Sequence, residues 1–91
     1  MTLSANAVPR LSSHDVFRWE ESQAAYILLY PEGLIKLNGS AGEILKRCDG
    51  QRNVADIVGD LQAAFPGNAA EISRSTQAFI DLAQDKGWLH F

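Results

Sequence analysis

AYILLYPEGLIKLNGSAGEILKRCDG, residues 25–50, is the stretch of sequence that decides the fold. Ala25 to Tyr30 is rich in branched and aromatic side chains at the length of a strand, and Pro31-Glu32-Gly33 is typical of a tight turn. Residues 33–37 form another apolar run, and from residue 40 the apolar positions recur at helical spacing. The stretch therefore predicts a β-hairpin followed directly by an amphipathic helix.

Three helices are predicted, near residues 40–48, 54–65 and 69–86, because an apolar stripe follows a polar capping pair in each case. The three pairs are Ser40 with Glu43, Asn53 with Asp56, and Asn68 with Glu71. In such a pair, a side-chain oxygen and a carboxylate three residues later satisfy the free amides at a helix start. Asn38 is a competing N-cap for the first helix.

A further strand is predicted upstream of the hairpin, at Val16 to Trp19, and residues 88–91 are predicted to be extended. Residues 1–8 are small and polar and are expected to form a disordered tail, which leaves residues 9–91 as one domain. The predicted fold class is α+β, with a winged-helix-like arrangement of a three-stranded antiparallel sheet followed by three helices.

The composition of the 91-residue chain excludes most kinds of catalytic site. Cys48 is the single cysteine and there are two histidines, so no recognised metal-ligand spacing is available. Ser13, His14 and Asp15 are sequence neighbours, whereas a catalytic triad is assembled from separate elements. The sequence shows neither a secretion signal nor an apolar run long enough to span a membrane. We therefore expect a cytoplasmic binding protein with no enzymatic activity and no cofactor.

The distribution of charge bears on the main alternative function, a winged-helix DNA-binding regulator. The formal net charge is −3, and the acidic excess lies in residues 53–91. The third predicted helix would have to enter the DNA groove, yet it carries more acids than bases, and phosphate contacts require Lys and Arg. Lys46, Arg47 and Arg52 cluster near the end of the first helix, where they complement the helix dipole. Nucleic acid is thus the less favoured partner.

The predicted strands are more apolar than a half-exposed sheet requires. Alternate residues of the run 25–30 point to opposite faces of the sheet, and both sets are apolar. Two explanations remain open. Either helices cover one face while the N-terminal segment and Trp88 cover the other, or part of the sheet is a docking surface.

A groove for an extended peptide is predicted between a strand edge and the third helix. Residues 33–37 form the last strand of the predicted sheet, so one of its edges is expected to be unpaired. Ser75, Ala78 and Leu82 are small or apolar and lie beside the core stripe of the helix. An extended peptide can add to such an edge as one more strand.

The chain resembles the pyrroloquinoline quinone biosynthesis protein D (PqqD) family over about residues 9–91. The motifs that carry the resemblance are Tyr30-Pro31-Glu32-Gly33, Leu37-Asn38-Gly39-Ser40-Ala41, Ile44-Leu45, Cys48-Asp49-Gly50, Phe79-Ile80 and Gly87-Trp88-Leu89. In this order, these motifs are together fairly specific to the family.

The resemblance implies a peptide chaperone for pyrroloquinoline quinone (PQQ) biosynthesis. Such a protein binds the leader of the ribosomally made precursor peptide PqqA and presents it to the radical SAM enzyme PqqE. In the wider group of recognition elements with this fold, the leader pairs with the third strand and lies against the third helix. The peptide-binding residues expected here are Gly33, Leu34, Ile35, Lys36, Leu37, Ser75, Ala78, Phe79 and Leu82.

Ser75-Thr76 departs from the family pattern, which often has an acidic residue followed by a hydrophobic one at this place in the third helix. A hydrogen bond or ion pair formed by that acid is therefore not carried over to this chain. The protein is expected to be a monomer or a homodimer that exchanges its first strand.

Overall fold

A three-stranded antiparallel sheet and three helices dominate the computed structural model, which describes residues 5–91. The strands are β1 (Arg10–Leu11), β2 (Val16–Glu20), β3 (Ala25–Tyr30), β4 (Gly33–Lys36) and β5 (Leu89–His90). The helices are α1 (Gly39–Lys46), α2 (Val54–Ala64) and α3 (Ala69–Asp85), with a short 3-10 helix at Glu21–Gln23. The predicted α+β fold class, with a three-stranded antiparallel sheet followed by three helices, is confirmed. β1 and the 3-10 helix are not predicted.

The main sheet has the strand order β2-β3-β4, so β3 is central and β4 lies at an edge. Both pairs of neighbours are antiparallel, and the β3–β4 hairpin turns at Pro31 and Glu32. Pairing continues one residue past β4, because the Leu37 N–H donates to the Tyr26 carbonyl at 2.9 Å.

One face of the sheet, the inner face, carries Tyr26, Leu28 and Tyr30 and packs on the helices. α1 approaches this face so closely at Gly42 that an added Cβ would lie 2.5 Å from the Tyr26 ring. Trp88 also lies on this side, since its ring centroid is 5.8 Å from that of Tyr30. The explanation in which Trp88 covers the opposite face is therefore wrong.

The opposite face of the sheet, the outer face, remains partly open to solvent. Val16 and Leu34 are 50% and 56% exposed. Both are in register with Leu29 of the central strand, so the three apolar side chains form a row across the sheet. This row accounts for the surplus of apolar residues that the sequence shows in the strands.

The hydrophobic core fills the space between the inner face and the three helices. Leu28, Ile57, Ile80 and Leu89 are among its most buried members. Ile72, which the helical stripe predicts to be a core residue, is only half-buried and packs against the margin of the core.

None of the helices within residues 5–91 combines the length and the apolar character needed to cross a membrane.

The start of α1 differs from the predicted capping box. Asn38 is the N-cap, and its Oδ1 accepts a hydrogen bond from the Ala41 N–H at 2.8 Å. The prediction of a box formed by Ser40 and Glu43 is wrong, because the competing N-cap starts the helix earlier. Glu43 instead pairs with Arg47 one turn later, at 2.8 Å.

The other two helix starts differ from each other. At α2 the capping box of Asn53 and Asp56 is confirmed, with both of its hydrogen bonds present. At α3 Asn68 occupies the N-cap position without a side-chain cap hydrogen bond. Its expected partner Glu71 is bound to Arg74 at 2.8 Å.

β1 and β5 form a two-stranded antiparallel ribbon that pairs the two ends of the domain. Arg10 lies opposite His90 and Leu11 opposite Leu89. Ser12 extends the ribbon, since its N–H donates to the Trp88 carbonyl at 2.9 Å. The extended C-terminal segment is predicted from the sequence, whereas its pairing with β1 is not.

Residues 5–8 lie against the start of α2, although the sequence assigns residues 1–8 to a disordered tail. The Val54 N–H donates to the Ala7 carbonyl at 2.9 Å, and the Ala55 N–H donates to the Ala5 carbonyl at 3.1 Å. Amides of a first helical turn have no partner within the helix, so this segment supplies one. Residues 1–4 of the predicted tail lie outside the described residues.

Candidate peptide-binding site

The free edge of β4 offers unpaired backbone groups to an added strand. In an antiparallel ladder, every second residue directs its N–H and C=O groups to the same neighbouring strand. Because Leu37 bonds to β3, Gly33 and Ile35 also face β3, whereas Leu34 and Lys36 direct their backbone groups away from it. Within residues 5–91, no strand pairs with this edge. Leu34 and Lys36 therefore present two N–H and two C=O groups to an extended ligand.

The side chains of the predicted strand residues lie in different environments. Gly33, Leu34 and Lys36 are exposed, whereas Ile35 is half-buried against the core. Leu37 is only 6% exposed and is a member of the core cluster, because it follows the end of β4 where the chain turns toward α1. The prediction that the Leu37 side chain lines the peptide site is therefore wrong, because this side chain packs in the core.

The helical side of the site is the exposed flank of α3. Ser75, Ala78 and Leu82 are all exposed, as the offset from the helical stripe predicts. Leu82 is a large apolar residue with 46% of its surface in solvent. Phe79 is half-buried and packs against the core, so it supports this flank from below.

Residues at the two ends of β4 lie near opposite ends of α3. At one end, the Tyr30 ring beside the hairpin contacts Trp88, which follows the C-terminal end of α3. At the other end, Gly39 directly after β4 lines the same groove as Ile72 and Ser75 in the first half of α3. The strip of surface that runs between these two points, beside the edge of β4 and the flank of α3, is the candidate peptide site.

A groove of about 670 Å³, which is not predicted from the sequence, lies at the α1 end of this strip. Its apolar lining includes Ile44, Leu61, Phe65 and Ile72, and Ser75 is the one predicted peptide-binding residue within it. The groove forms where three helices meet, so the periodicity of a single helix cannot reveal it. The available signal is Phe65, the last residue of the predicted α2 stripe, which is 49% exposed.

Only one residue of the Ser75-Thr76 pair is placed to contact a ligand. Thr76 is 1% exposed, whereas the exposed Ser75 hydroxyl donates to Glu71 at 3.2 Å. Hydrogen bonds from Arg74 and then Ser75 hold the pKa of Glu71 below its ordinary value. An ionised carboxylate thus stands beside the strip, one helical turn before Ser75.

Two of the three bases in the cluster near the end of α1 are paired with neighbouring acids. Arg47 lies 3.5 Å and Arg52 3.6 Å from the same Asp60 carboxylate. Arg47 also pairs with Glu43 at 2.8 Å, and Arg52 with Asp49 at 3.8 Å. These guanidinium groups are committed to internal ion pairs, so the structure gives no support to the DNA-binding alternative.

Cys48 is a structural residue and not a reactive one. Its side chain is buried and its Sγ donates to the Ile44 carbonyl at 3.3 Å. Burial, and to a smaller extent the charge of Asp49, raises the pKa of the Cys48 thiol from 9.0 to about 12. Since the thiolate is the nucleophile, this cysteine is inert at neutral pH.

Asp15 is the one described residue that contains a buried side-chain oxygen without a hydrogen-bond partner. Burial and then the charge of Glu32 raise the pKa of this carboxyl. Its sequence neighbours Ser13 and His14 are exposed. Within residues 5–91, no three His, Cys, Asp or Glu side chains are grouped to hold a metal ion.

Comparison with known proteins identifies the family to which this architecture belongs. The family model for Coenzyme PQQ synthesis protein D (PqqD) matches residues 25–89. A "PqqA binding protein" from Pseudomonas aeruginosa is 44% identical over 86 residues, which cover 94% of this chain and 92% of the relative. A "PqqA binding protein" from Stutzerimonas stutzeri is 47% identical over 73 residues, covering 80% of this chain and 78% of the relative.

Solved structures with the same fold include recognition elements. One is the solution structure of the PqqD truncation of Methylobacterium extorquens PqqCD, described as a functional and stand-alone RiPP recognition element. It has a TM-score of 0.75 and 29% identity, and the match covers 97% of this chain and 94% of that one. TbiB1 in complex with the TbiA(beta) leader peptide has a TM-score of 0.75 at 17% identity, covering 89% of this chain and 94% of that one, and shows the shared fold alone.

Proposed function

Because this chain belongs to the Coenzyme PQQ synthesis protein D (PqqD) family, we propose that it binds the leader of the precursor peptide PqqA in PQQ biosynthesis. The leader adds to β4 as a further antiparallel strand and packs against α3. The observation that carries this proposal is the edge of β4, which pairs with no strand within residues 5–91. The exposed flank of Ser75, Ala78 and Leu82 is the expected helical side of the site.

The energetics of strand addition favour a moderate affinity. The free groups of Leu34 and Lys36 allow four main-chain hydrogen bonds, each with a net value of about 0.5–1.5 kcal/mol. Burial of two or three apolar peptide side chains adds about 1.5–3 kcal/mol each. The cost of ordering a flexible peptide offsets part of this sum. A Kd of about 1 μM or somewhat tighter, about −8 kcal/mol, is the expected balance.

The chain acts as a carrier that presents the peptide to the radical SAM enzyme PqqE and performs no chemistry itself. This role takes place in the cytoplasm, where the precursor is synthesised. Carrier, peptide and enzyme form a ternary complex, since the peptide must reach the enzyme while it is held. Asp81 and Asp85 of α3 form none of the ion pairs found within residues 5–91. Their carboxylates are therefore available to pair with basic residues of the enzyme.

Titration of isotope-labelled protein with synthetic PqqA tests the peptide site. The largest amide shifts are expected at residues 33–36 and 75–82, with smaller ones at the groove residues Phe65 and Ile72. Amides of β2, at the far edge of the sheet, serve as the internal reference. Shifts confined to β2 or to the α1–α2 loop would refute binding at β4.

The ternary complex is tested separately by measuring PqqE binding in the presence and absence of saturating PqqA. Presentation requires that the enzyme binds the peptide-loaded carrier at least as tightly as the free carrier. Competition between PqqA and PqqE for the carrier would contradict it.

A further inference from the structure

Two rows of side chains cross the outer face of the sheet and end at the free edge of β4. The first row is Val16, Leu29 and Leu34. The second row is Arg18, Ile27 and Lys36. Any strand added to β4 lengthens both rows by one residue, because directly opposed residues of paired strands share a face.

The end of each row at β4 is open to a partner. Leu34 is 56% exposed. Lys36 is exposed and takes part in no ion pair within residues 5–91. The other cation of its row, Arg18, already lies 3.4 Å from the Glu20 carboxylate. The positive charge at the end of the second row is thus available to the added strand.

We propose that Leu34 and Lys36 select the bound peptide by requiring an apolar residue and an acidic residue two positions apart. The apolar side chain lies beside Leu34 and the carboxylate lies beside Lys36, both on the outer face. The residue between them points to the inner face, beside Ile35. This inference rests on the proposed binding of a peptide strand to β4 and specifies the chemistry of that peptide.

The two-residue spacing follows from the geometry of the strand. Leu34 and Lys36 are separated by one residue, and alternate side chains of an extended peptide fall on the same face at the same repeat. Their backbone groups are also the ones that face the free edge, so both residues lie directly opposite hydrogen-bonded residues of the peptide. An antiparallel peptide carries the acid before the apolar residue in its sequence.

An edge lysine also has a simpler explanation, since proteins place lysines on edge strands to prevent self-association. That explanation predicts that Lys36 affects the oligomeric state and leaves the peptide sequence unrestricted. The two explanations therefore give different results when the charges of the protein and the peptide are exchanged.

The test is calorimetric titration of PqqA into Lys36→Glu, with Arg18→Glu as the matched control. Arg18 has the same charge in the same row, at the opposite edge of the sheet. We expect Lys36→Glu to weaken binding about 3- to 30-fold at low salt, with a smaller effect at high salt, because a cross-strand attraction becomes a repulsion. Arg18→Glu is expected to leave the affinity unchanged.

Charge exchange identifies the peptide residue. Each acidic residue of synthetic PqqA is replaced in turn by Lys, and one such peptide is expected to bind Lys36→Glu more tightly than it binds the unmodified protein.

The apolar position is tested by Leu34→Ser, which is expected to weaken binding about 2- to 10-fold. Val16→Ser, in the same row at the opposite edge of the sheet, is expected to leave the affinity unchanged.

Failure of this inference is distinct from failure of the proposed function. If PqqA shifts the amides of β4 but Lys36→Glu binds it with unchanged affinity, the selection by charge is wrong while the peptide site stands. If Arg18→Glu weakens binding and Lys36→Glu does not, the peptide pairs with β2, and both proposals are wrong.

Discussion

Ala78 is the residue at which binding and folding separate most clearly. It is exposed on the flank of α3, so Ala78→Arg places a long charged side chain in the proposed peptide strip without entering the core. We expect at least a tenfold loss of PqqA affinity, about 1.4 kcal/mol, with a thermal midpoint close to that of the unmodified protein. The measurement is calorimetric titration alongside thermal unfolding.

The core control for this variant is Ile80→Ala, since Ile80 is fully buried. Its removal should lower the free energy of unfolding by about 2–5 kcal/mol. Ile72 is less suitable, because it lies partly in the groove and its loss mixes binding with stability. A well-folded Ala78→Arg protein that binds PqqA with full affinity would place the peptide elsewhere.

Gly42 and Gly59 are both helical glycines, yet their replacement by alanine should have opposite effects. A Cβ at Gly42 meets the Tyr26 ring at 2.5 Å, whereas a Cβ at Gly59 meets nothing within 4 Å. Gly42→Ala should destabilise the protein by about 1–3 kcal/mol through overpacking. Gly59→Ala should stabilise it by about 0.5–1 kcal/mol, since glycine is the poorer helix former. Urea unfolding of both variants measures the difference, and an equal effect would contradict the close approach of α1 to the sheet.

The helix caps give the clearest case at the scale of elements. Asn38 bonds to the Ala41 amide, whereas Ser40, inside the first turn, is exposed and forms no hydrogen bond with its side chain in the described chain. Asn38→Ala should therefore cost about 0.5–2 kcal/mol, and Ser40→Ala should change stability by less than about 0.5 kcal/mol. Thermal unfolding of the two variants decides between them, and a larger loss for Ser40→Ala would restore the capping box that the sequence suggests.

The alternation of backbone groups along β4 predicts a difference between two proline substitutions. Leu34→Pro removes an N–H that faces the free edge, where proline is tolerated. PqqA affinity should fall about 2- to 12-fold, the value of one hydrogen bond, while the fold is retained.

Ile35→Pro is the matched control, because the Ile35 N–H lies within the β3–β4 ladder. Proline there removes a ladder bond and should lower the thermal midpoint. Retention of full PqqA affinity by Leu34→Pro would show that the peptide does not pair through this edge.

The sequence predicts elements well where local signals repeat and poorly where a partner is distant. The three helices follow from stripes of several apolar residues, and β3 from a run of six residues of which five are branched or aromatic. β1 contains two residues, which is too short for a period, and its partner β5 lies at the other end of the chain. Only the folded chain brings these two segments together.

The candidate site shows the same limit at the scale of the whole molecule. The exposed flank of α3 and the edge position of β4 follow from periodicity and strand order, so the sequence predicts both. Leu37 is buried because the chain turns there toward α1, and the groove beside Ser75 forms only where three helices meet. Both features depend on tertiary packing, which no single-element pattern contains.

The N-terminal segment should contribute to the stability of the whole domain. Removal of residues 1–12 deletes β1 and the backbone acceptors for the first turn of α2. It also uncovers Leu89, whose side chain is almost fully buried in the intact chain. We expect the free energy of unfolding to fall by at least about 3 kcal/mol, since apolar burial and several hydrogen bonds are lost together. Urea denaturation measures this, and an unchanged midpoint would mean that the segment adds nothing to the fold.

The ribbon of β1 with β5 places Arg10–Leu11 beside Leu89–His90, so two segments near opposite ends of the domain are neighbours. A domain whose two ends are neighbours can be inserted into a loop of a host protein without stretching either partner. Its ends can equally be joined by a short linker and the chain reopened at Pro66-Gly67, the turn between α2 and α3, since exposed turns tolerate such cuts. The ribbon thus allows the whole domain to be inserted into another polypeptide while the edge of β4 stays intact.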